Sequence, residues 1–337
     1  MGRVRRWLNP NQLRLQTNRL LRRWDLGLYR PSWVESQLPE QYTHGDAALP
    51  EGAEAALRTD HPRLAELRAR YSGHCAAAVS AWSDLRLEGQ IDLRRFRGDS
   101  QYLYQARGTS DAAYALSTHY ALRHGRLGVL DRLDEDGLFG ALLHDVDGRA
   151  ISRDRLDAAL EIEALAEWLG ADALAKGRVL DIGAGYGRLV HRLAQWAPDG
   201  ERVATDAVPT STFLCEYYLG FRACPGTQVI ALHEIENALS TRRFDLATNV
   251  HSFGEAPLAS VRWWIERLAA ADVPRLFLVH VEPELFALED DLTRAPLAPV
   301  LETLGYRAVD VQPKYAHSDA VQRLGVFPAW YHCYERG

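Results

Sequence analysis

The chain has 337 residues, of which 47% are apolar and 25% are charged. This composition is typical of a soluble globular protein, and the length allows two domains or one domain with a large extension. The net charge of −6 gives no sign of nucleic-acid binding, which needs a basic surface. No apolar run approaches the ~20 residues that span a bilayer. The four cysteines lack metal-binding spacing, so we expect reduced thiols in a cytoplasmic protein.

The first 30 residues carry eight arginines against one acid, Asp25, with leucines among them. This pattern indicates a basic amphipathic helix. Such a helix suits two roles: peripheral contact with an acidic membrane surface or a partner, or packing on its own domain with a solvated basic face. The oligomeric state does not follow from it.

The rest of the first 150 residues is predicted to be mainly helical after a proline-rich loop at 31–62. Helical patterns are expected at 61–73, 76–82 and 112–125, with a short apolar segment at 127–133. A stronger helix is predicted at 154–169, with Asp157, Glu161, Glu163 and Glu167 on a wet face and Gly170 as its stop. We therefore divide the chain into a helical cap and substrate region, 1–150, and a second domain, 151–337.

The second domain alternates apolar strands with helical segments, which predicts an α/β fold with a mostly parallel, Rossmann-like sheet. The predicted helices are 186–196, 211–219, 257–270 and 295–304. The predicted strands are 178–182, 202–205, 228–232, 244–250, 275–281, 306–311 and 326–334.

A glycine-rich turn follows the first of these strands, in the order Asp181, Gly183, Ala184, Gly185, Gly187. Glycines tolerate positive φ and let a ligand approach the backbone, and a helix that starts there offers free N–H groups. The dinucleotide fingerprint would need glycine at position 188, where Arg188 stands, which disfavours a nicotinamide dehydrogenase. Asp181 suits a cationic amine better than a pyrophosphate. This stretch resembles the first motif of class I S-adenosylmethionine (SAM) dependent methyltransferases.

Polar residues after the next strands complete a predicted cofactor site. Asp206 follows the second strand and is predicted to accept both ribose hydroxyls. His233, Glu234 and Ile235 follow the third, where adenine would lie; which of them contacts the ring stays open. Asn249 is a candidate for the methionyl part of the cofactor or for the substrate.

His251 and Glu255 are the catalytic candidates. Methyl transfer to an alcohol needs a base, and a histidine with an ordinary pKa of ~6.5 is mostly neutral at cellular pH. His251 would take the proton and Glu255 would orient it. No three-carboxylate set is apparent, so we predict no metal site, although a divalent ion stays possible.

Six segments together resemble a bacterial family of sugar O-methyltransferases. They are FRGD at 96–99, SRDRLDAALEIE at 152–163, VLDIGAGYGRLVHRLA at 179–194, TDAVPTSTFLCEYYL at 205–219, NVHSFGE at 249–255 and PKYAHSDAVQ at 313–322.

The resemblance implies a seven-stranded sheet with the last strand antiparallel, a helical N-terminal cover, SAM as methyl donor and a sugar or glycan hydroxyl as acceptor. The acceptor contacts would come from the cover, through Arg97, Asp99, Tyr102 and Gln105. Two alternatives stay open: methylation of a non-sugar small molecule such as a phenolic or polyketide, and a SAM-binding protein without catalysis.

Overall fold

The computed structural model describes residues 48–77, 91–98, 100–103, 105, 110–291 and 293–337. All of them belong to one compact unit, Ala47–Gly337. The arginine-rich stretch 1–30 and the acceptor candidate Asp99 lie outside the described residues. The functional division near residue 150 stays a prediction.

Among the described residues before 152, helices outnumber strands. The elements there are α1 (Ala53–Ala56), α2 (Pro62–Tyr71), α3 (Asp111–His124), α4 (Val129–Arg132) and a hairpin of β1 (His144–Val146) and β2 (Arg149–Ile151). The predicted helical character at 76–82 is seen only as a 3₁₀ turn over Cys75–Ala77, and the residues from 78 onward are not described.

Helices and strands alternate from residue 153 onward. They are α5 (Arg153–Leu169), α6 (Ala171–Lys176), β3 (Arg178–Ile182), α7 (Arg188–Trp196), β4 (Glu201–Thr205), α8 (Pro209–Arg222), β5 (Thr227–Val229), α9 (Ile235–Thr241), β6 (Leu246–Val250), α10 (Leu258–Ala270), β7 (Arg275–His280), β8 (Phe286–Leu288), β9 (Arg294–Pro296), α11 (Ala298–Thr303), β10 (Tyr306–Pro313), α12 (Asp319–Leu324) and β11 (Trp330–Arg336).

Seven of these strands form one sheet in the order β10-β11-β7-β6-β3-β4-β5. β3 to β7 run parallel to one another, while the last strand, β11, is antiparallel to both β7 and β10. The predicted Rossmann-like sheet with an antiparallel last strand is confirmed. Its central strand β3 is buried on both faces from Val179 to Ile182, because helices cover both sides.

The register of the sheet brings polar side chains together at its carboxyl edge. Asp181 pairs with Ala204 on one side and Thr248 on the other, and the next residue, Ile182, pairs with Thr205 and Asn249. Ligands of open α/β sheets bind outside this edge. The loops after β3, β4 and β6 therefore meet at one place.

Some predicted boundaries were wrong. The helix predicted at 295–304 covers only Ala298–Thr303, because Arg294–Pro296 pairs as a strand with Phe286–Leu288. The helix predicted at 186–196 begins only at Arg188, because the glycine turn extends through Gly187. Helix α9 and the β8–β9 hairpin were not predicted.

Helix α5 differs most from expectation. Ser152 caps its first turn by accepting a hydrogen bond from the N–H of Arg155 at 3.0 Å. Asp157 and Glu161, predicted to be wet, are only 4% and 3% exposed. Each is paired with a buried cation, which is what makes their burial tolerable. Within the described residues, no helix is long and apolar enough to cross a membrane.

Candidate active site

A cavity opens at the carboxyl edge of the sheet, next to the glycine loop. Its walls come from the loops after β3, β4 and β6, from helices α5 and α10, and from the N-terminal region through Ala76 and Gln101–Leu103. Residues on these walls that bear on its chemistry are Arg153, Asp157, Asp181, Gly183, Ala184, Gly185, Arg188, Asp206, Ser211, His251, Ser252, Glu255, Trp264 and Phe327.

The glycine loop is tight because another turn packs against it. Gly183 has φ +67, and a Cβ atom there would lie 1.9 Å from the Ser252 Oγ. Asn249 fixes that second turn: its Nδ2 donates to the Ile182 carbonyl at 2.8 Å, and its Oδ1 accepts from the Phe253 N–H at 3.0 Å. Asn249 is 2% exposed and does not line the cavity, so its contacts support the loop and not a ligand.

Asp181 lies at the floor of the cavity and is 3% exposed. Its Oδ1 accepts a hydrogen bond from the Thr248 Oγ1 at 2.7 Å. Burial raises the pKa of its carboxyl group to about 7, against the lowering effects of that bond and of Arg188. Few groups around this buried carboxylate stabilise its charged form, so the site favours the binding of a cation.

Asp206 lies on the β4 side of the cavity and is 6% exposed. Its Oδ2 accepts from the Gly185 N–H and its Oδ1 from the Val208 N–H, both at 2.8 Å. Burial raises its pKa to about 7, and these backbone N–H groups act in the opposite direction. The Ala207 N–H and the Ser211 side chain also hydrogen-bond to this carboxylate.

His251 follows β6 and lines the cavity, as does Glu255 at the end of the same turn. The backbone of His251 has φ 66 and ψ −31, a conformation that side chains disfavour, and its N–H donates to the Val279 carbonyl at 2.9 Å. Its Nδ1 is buried and accepts or donates no bond among the described residues. Burial, helped by Arg153, lowers the pKa of the imidazole to about 3. His251 is therefore neutral at cellular pH, as predicted, but it binds a proton weakly.

The predicted adenine residues do not line the cavity. His233 and Glu234 lie in a 3₁₀ turn, and Ile235 is fully buried. The Tyr71 hydroxyl of α2 accepts from the Leu232 N–H at 2.8 Å, which fixes this turn against α2. The apolar lining comes instead from other elements: Ala76, Val208, Phe253, Val261 and Trp264.

The predicted acceptor residues divide into two groups. Tyr102 lines the cavity, and its ring lies over Gly185, where a Cβ atom would be 3.0 Å away. Arg97 is 1% exposed and forms ion pairs with Glu135, Asp136 and Asp154.

Gln105 is equally buried, and its Nε2 donates to the Arg97 and Gly98 carbonyls. Because these contacts hold the N-terminal segment in place, we do not include Arg97 or Gln105 in the acceptor site proposed below.

Four further residues line the cavity without any sequence pattern that marked them as ligand contacts: Arg153, Asp157, Arg188 and Phe327. The Arg153 guanidinium stacks on the Phe327 ring at 3.7 Å and donates to Asp157 at 3.0 Å. Lys314 donates to the same carboxylate at 2.6 Å. A signal was present: Arg153, Asp157 and Glu161 are spaced by four and so lie on one face of α5. The described residues contain no group of three His, Cys, Asp or Glu arranged to hold a metal.

No protein-family model and no curated protein match the sequence. Solved structures similar to it include magnesium protoporphyrin IX methyltransferase from Synechocystis PCC 6803 with bound SAH, at 16% identity and a TM-score of 0.39 over 57% of this chain and 90% of that one. A SAM-dependent methyltransferase from Aquifex aeolicus has 16% identity and a TM-score of 0.40, over 55% of this chain and 94% of that one.

The mitomycin 7-O-methyltransferase MmcR has 16% identity and a TM-score of 0.38, over 55% of this chain and 56% of that one. Likenesses this remote do not identify a reaction.

Proposed function

We propose that the protein is a SAM-dependent O-methyltransferase that acts on a hydroxyl of a sugar or glycoside. The observation that carries the proposal is the pair of buried carboxylates, Asp181 and Asp206, on either side of a glycine loop in one cavity. Two such groups, each with a pKa raised to about 7, are costly unless a ligand uses them.

The residues present fit SAM. Asp181 would hold the amino group, because its Oδ2 has no donor among the described residues. Asp206 would accept the ribose hydroxyls through its carboxylate oxygens. The apolar lining around Trp264 suits the adenine ring, whereas the sequence pattern places that ring near His233, Glu234 or Ile235. When bound, SAM supplies a methyl group on a positively charged sulfur.

The acceptor would enter beside β6 and β7, where His251 and Glu255 line the cavity. His251 Nδ1 would accept the proton of the acceptor hydroxyl, and Glu255 would orient the pair. General-base help of this kind contributes ~10²–10⁴ in rate. Asp157 acts to raise the His251 pKa, against the larger lowering effects of burial and of Arg153. The rest of the protein's contribution is positioning, which can supply ~7–11 kcal/mol.

The choice of a sugar rests on the sequence resemblance, and the polar end of the cavity is consistent with it. Arg153, Asp157 and Glu255 offer charged hydrogen-bonding groups, while Tyr102 and Phe327 offer aromatic faces. Proteins hold carbohydrates with both kinds of group. The acceptor contacts proposed here therefore come from α5 and from the loop before β11, and Asp99 stays a candidate outside the described residues.

One observation favours a second candidate, O-methylation of a phenolic acceptor. A base with a pKa of about 3 is weak, and a phenol loses its proton more easily than a sugar hydroxyl. Under this alternative, His251 would contribute little and the cavity would select acceptors by shape.

The test is incubation of the purified full chain with methyl-labelled SAM and separate panels of glycosides and phenols, with mass spectrometry of the products. Transfer to a glycoside hydroxyl that falls at least ~10²-fold in His251→Gln supports the sugar reading. Transfer to phenols alone would replace it with the second candidate. SAM binding by calorimetry without transfer to either panel would leave a binding protein and overturn both enzyme readings.

A further inference from the structure

Arg188 is the first residue of α7, directly after the glycine loop, and it is only 8% exposed. It lines the cavity, and its Nη2 donates to the Glu161 Oε1 at 2.9 Å. Its Nη1 is buried and has no hydrogen-bond partner among the described residues. A buried charged donor left unpaired is costly, so this atom marks a place where an acceptor group belongs.

The position of Arg188 narrows the kind of acceptor. A guanidinium is always charged and its planar donors match a carboxylate. Arg188 lies close enough to Asp181 to lower the pKa of that carboxyl group. The cavity therefore has an anionic and a cationic group side by side at the glycine loop, which is complementary to an α-amino acid, whose amine and carboxylate leave one carbon atom.

Arg153, the other arginine on the cavity wall, is differently engaged. It donates to Asp157 and stacks on Phe327, and together with Asp157 it influences the pKa of His251 on the acceptor side. Arg153 and Asp157 thus lie on the side of the cavity proposed for the methyl acceptor. Arg188 lies on the side proposed for SAM, the methyl donor.

We infer that Arg188 binds the carboxylate of the methionyl part of SAM through Nη1, next to the amine held by Asp181. This inference rests on the proposed function and adds a residue to the cofactor site. It also gives Arg188 a positive role: the residue that replaces the third glycine of the dinucleotide fingerprint recognises an amino acid.

The experiment compares SAM with decarboxylated SAM, which keeps the amine, the positively charged sulfur and the nucleoside but lacks the carboxylate. Calorimetric titrations use the full chain as wild type, Glu161→Gln and Arg188→Gln/Glu161→Gln. The double variant removes both charges, because loss of Arg188 alone would leave Glu161 buried without a partner. Circular dichroism checks that each variant is folded.

Wild type and Glu161→Gln are expected to bind SAM about 10–100-fold more tightly than decarboxylated SAM, the range of a charge-assisted hydrogen bond. The double variant is expected to bind the two within about threefold, with its affinity for decarboxylated SAM unchanged from wild type. If Arg188 instead binds a carboxylate of the methyl acceptor, the double variant will still prefer SAM over decarboxylated SAM. That result would overturn the inference.

Two further results would overturn it. Equal loss of affinity for both compounds in the double variant would mean that Arg188 only supports the fold. Equal binding of both compounds by wild type would mean that no residue reads the carboxylate, and this result needs no variant. If folded wild type binds neither compound, the proposed function itself fails.

Discussion

The Thr248 hydroxyl donates a hydrogen bond of 2.7 Å to the Asp181 carboxylate, across two neighbouring parallel strands. Both side chains are almost fully buried. The bond holds one oxygen of Asp181 in place and leaves the other without a donor among the described residues. A carboxylate in this state is oriented for a cation before the cation arrives.

Asp181→Asn is expected to lower SAM affinity at least ~100-fold, because a neutral amide replaces the charge that would face the amine. The amide oxygen still accepts from Thr248, so the fold is preserved. Calorimetry measures the affinity. Thr248→Val is the matched control, with a loss of about tenfold or less, since it removes the orienting bond but not the charge.

Asp181→Asn is also expected to stabilise the unliganded protein. Asp181 has a folded pKa of about 7 against an ordinary 3.8, so the folded protein retains a proton that the unfolded chain releases. Its contribution to stability is therefore lost as pH rises from 3.8 to about 7, by about 4 kcal/mol in total. Asp181→Asn should unfold at higher temperature than wild type at pH 8, and the gap should narrow at pH 5. A lower unfolding temperature at pH 8 would contradict this.

SAM affinity is expected to rise with pH between about 6 and 8. Asp181 and Asp206 both have pKa values raised to about 7, and a ligand with an amine and donating hydroxyls favours their ionised forms. Calorimetry in buffers of different ionisation enthalpy should detect proton release on binding. His251 takes no part in this change, because its lowered pKa of about 3 keeps it neutral throughout. A pH-independent affinity would argue against these carboxylates as ligands.

His251→Gly is expected to leave SAM affinity within about threefold of wild type and to lower kcat by ~10²–10⁴ if the acceptor is a sugar. Glycine is chosen because it accepts the positive φ of this position without strain, so the turn should persist. Turnover is measured with the acceptor identified in the labelling screen. Normal turnover would remove His251 as the base.

Arg97→Met is expected to destabilise the protein by about 3–5 kcal/mol, because it leaves the carboxylates of Glu135 and Asp154 with one buried cation fewer. Denaturant unfolding measures the effect. Arg94→Met on the same segment is the control: the Arg94 side chain is 52% exposed, so a change within about 0.5 kcal/mol is expected. A stable Arg97 variant with a raised KM for the acceptor would restore Arg97 to the acceptor site.

The sequence was sufficient for the sheet and for the position of the site. An apolar run followed by glycine or an acidic residue marks the end of a strand. Because the carboxyl ends of parallel strands lie at the same edge of a sheet, the residues that follow them are expected to meet there. Asp181, Asp206 and His251 were therefore predicted to lie near one another without the tertiary structure, and all three line the cavity.

The local sequence pattern did not show that the charged residues of α5 are buried. Asp157 and Glu161 look like the wet face of an amphipathic helix, and only the tertiary structure reveals that buried cations from distant segments, Lys314 and Arg188, pair with them. The burial of Arg97 was not apparent for the same reason, since its partners lie about 40 to 60 positions away.

The sequence by itself determined where the strands end and which polar residues follow them, because both depend on neighbouring residues. Only the tertiary structure decided which charges face a ligand and which face one another, because the burial and pairing of a charged side chain depend on contacts between distant segments.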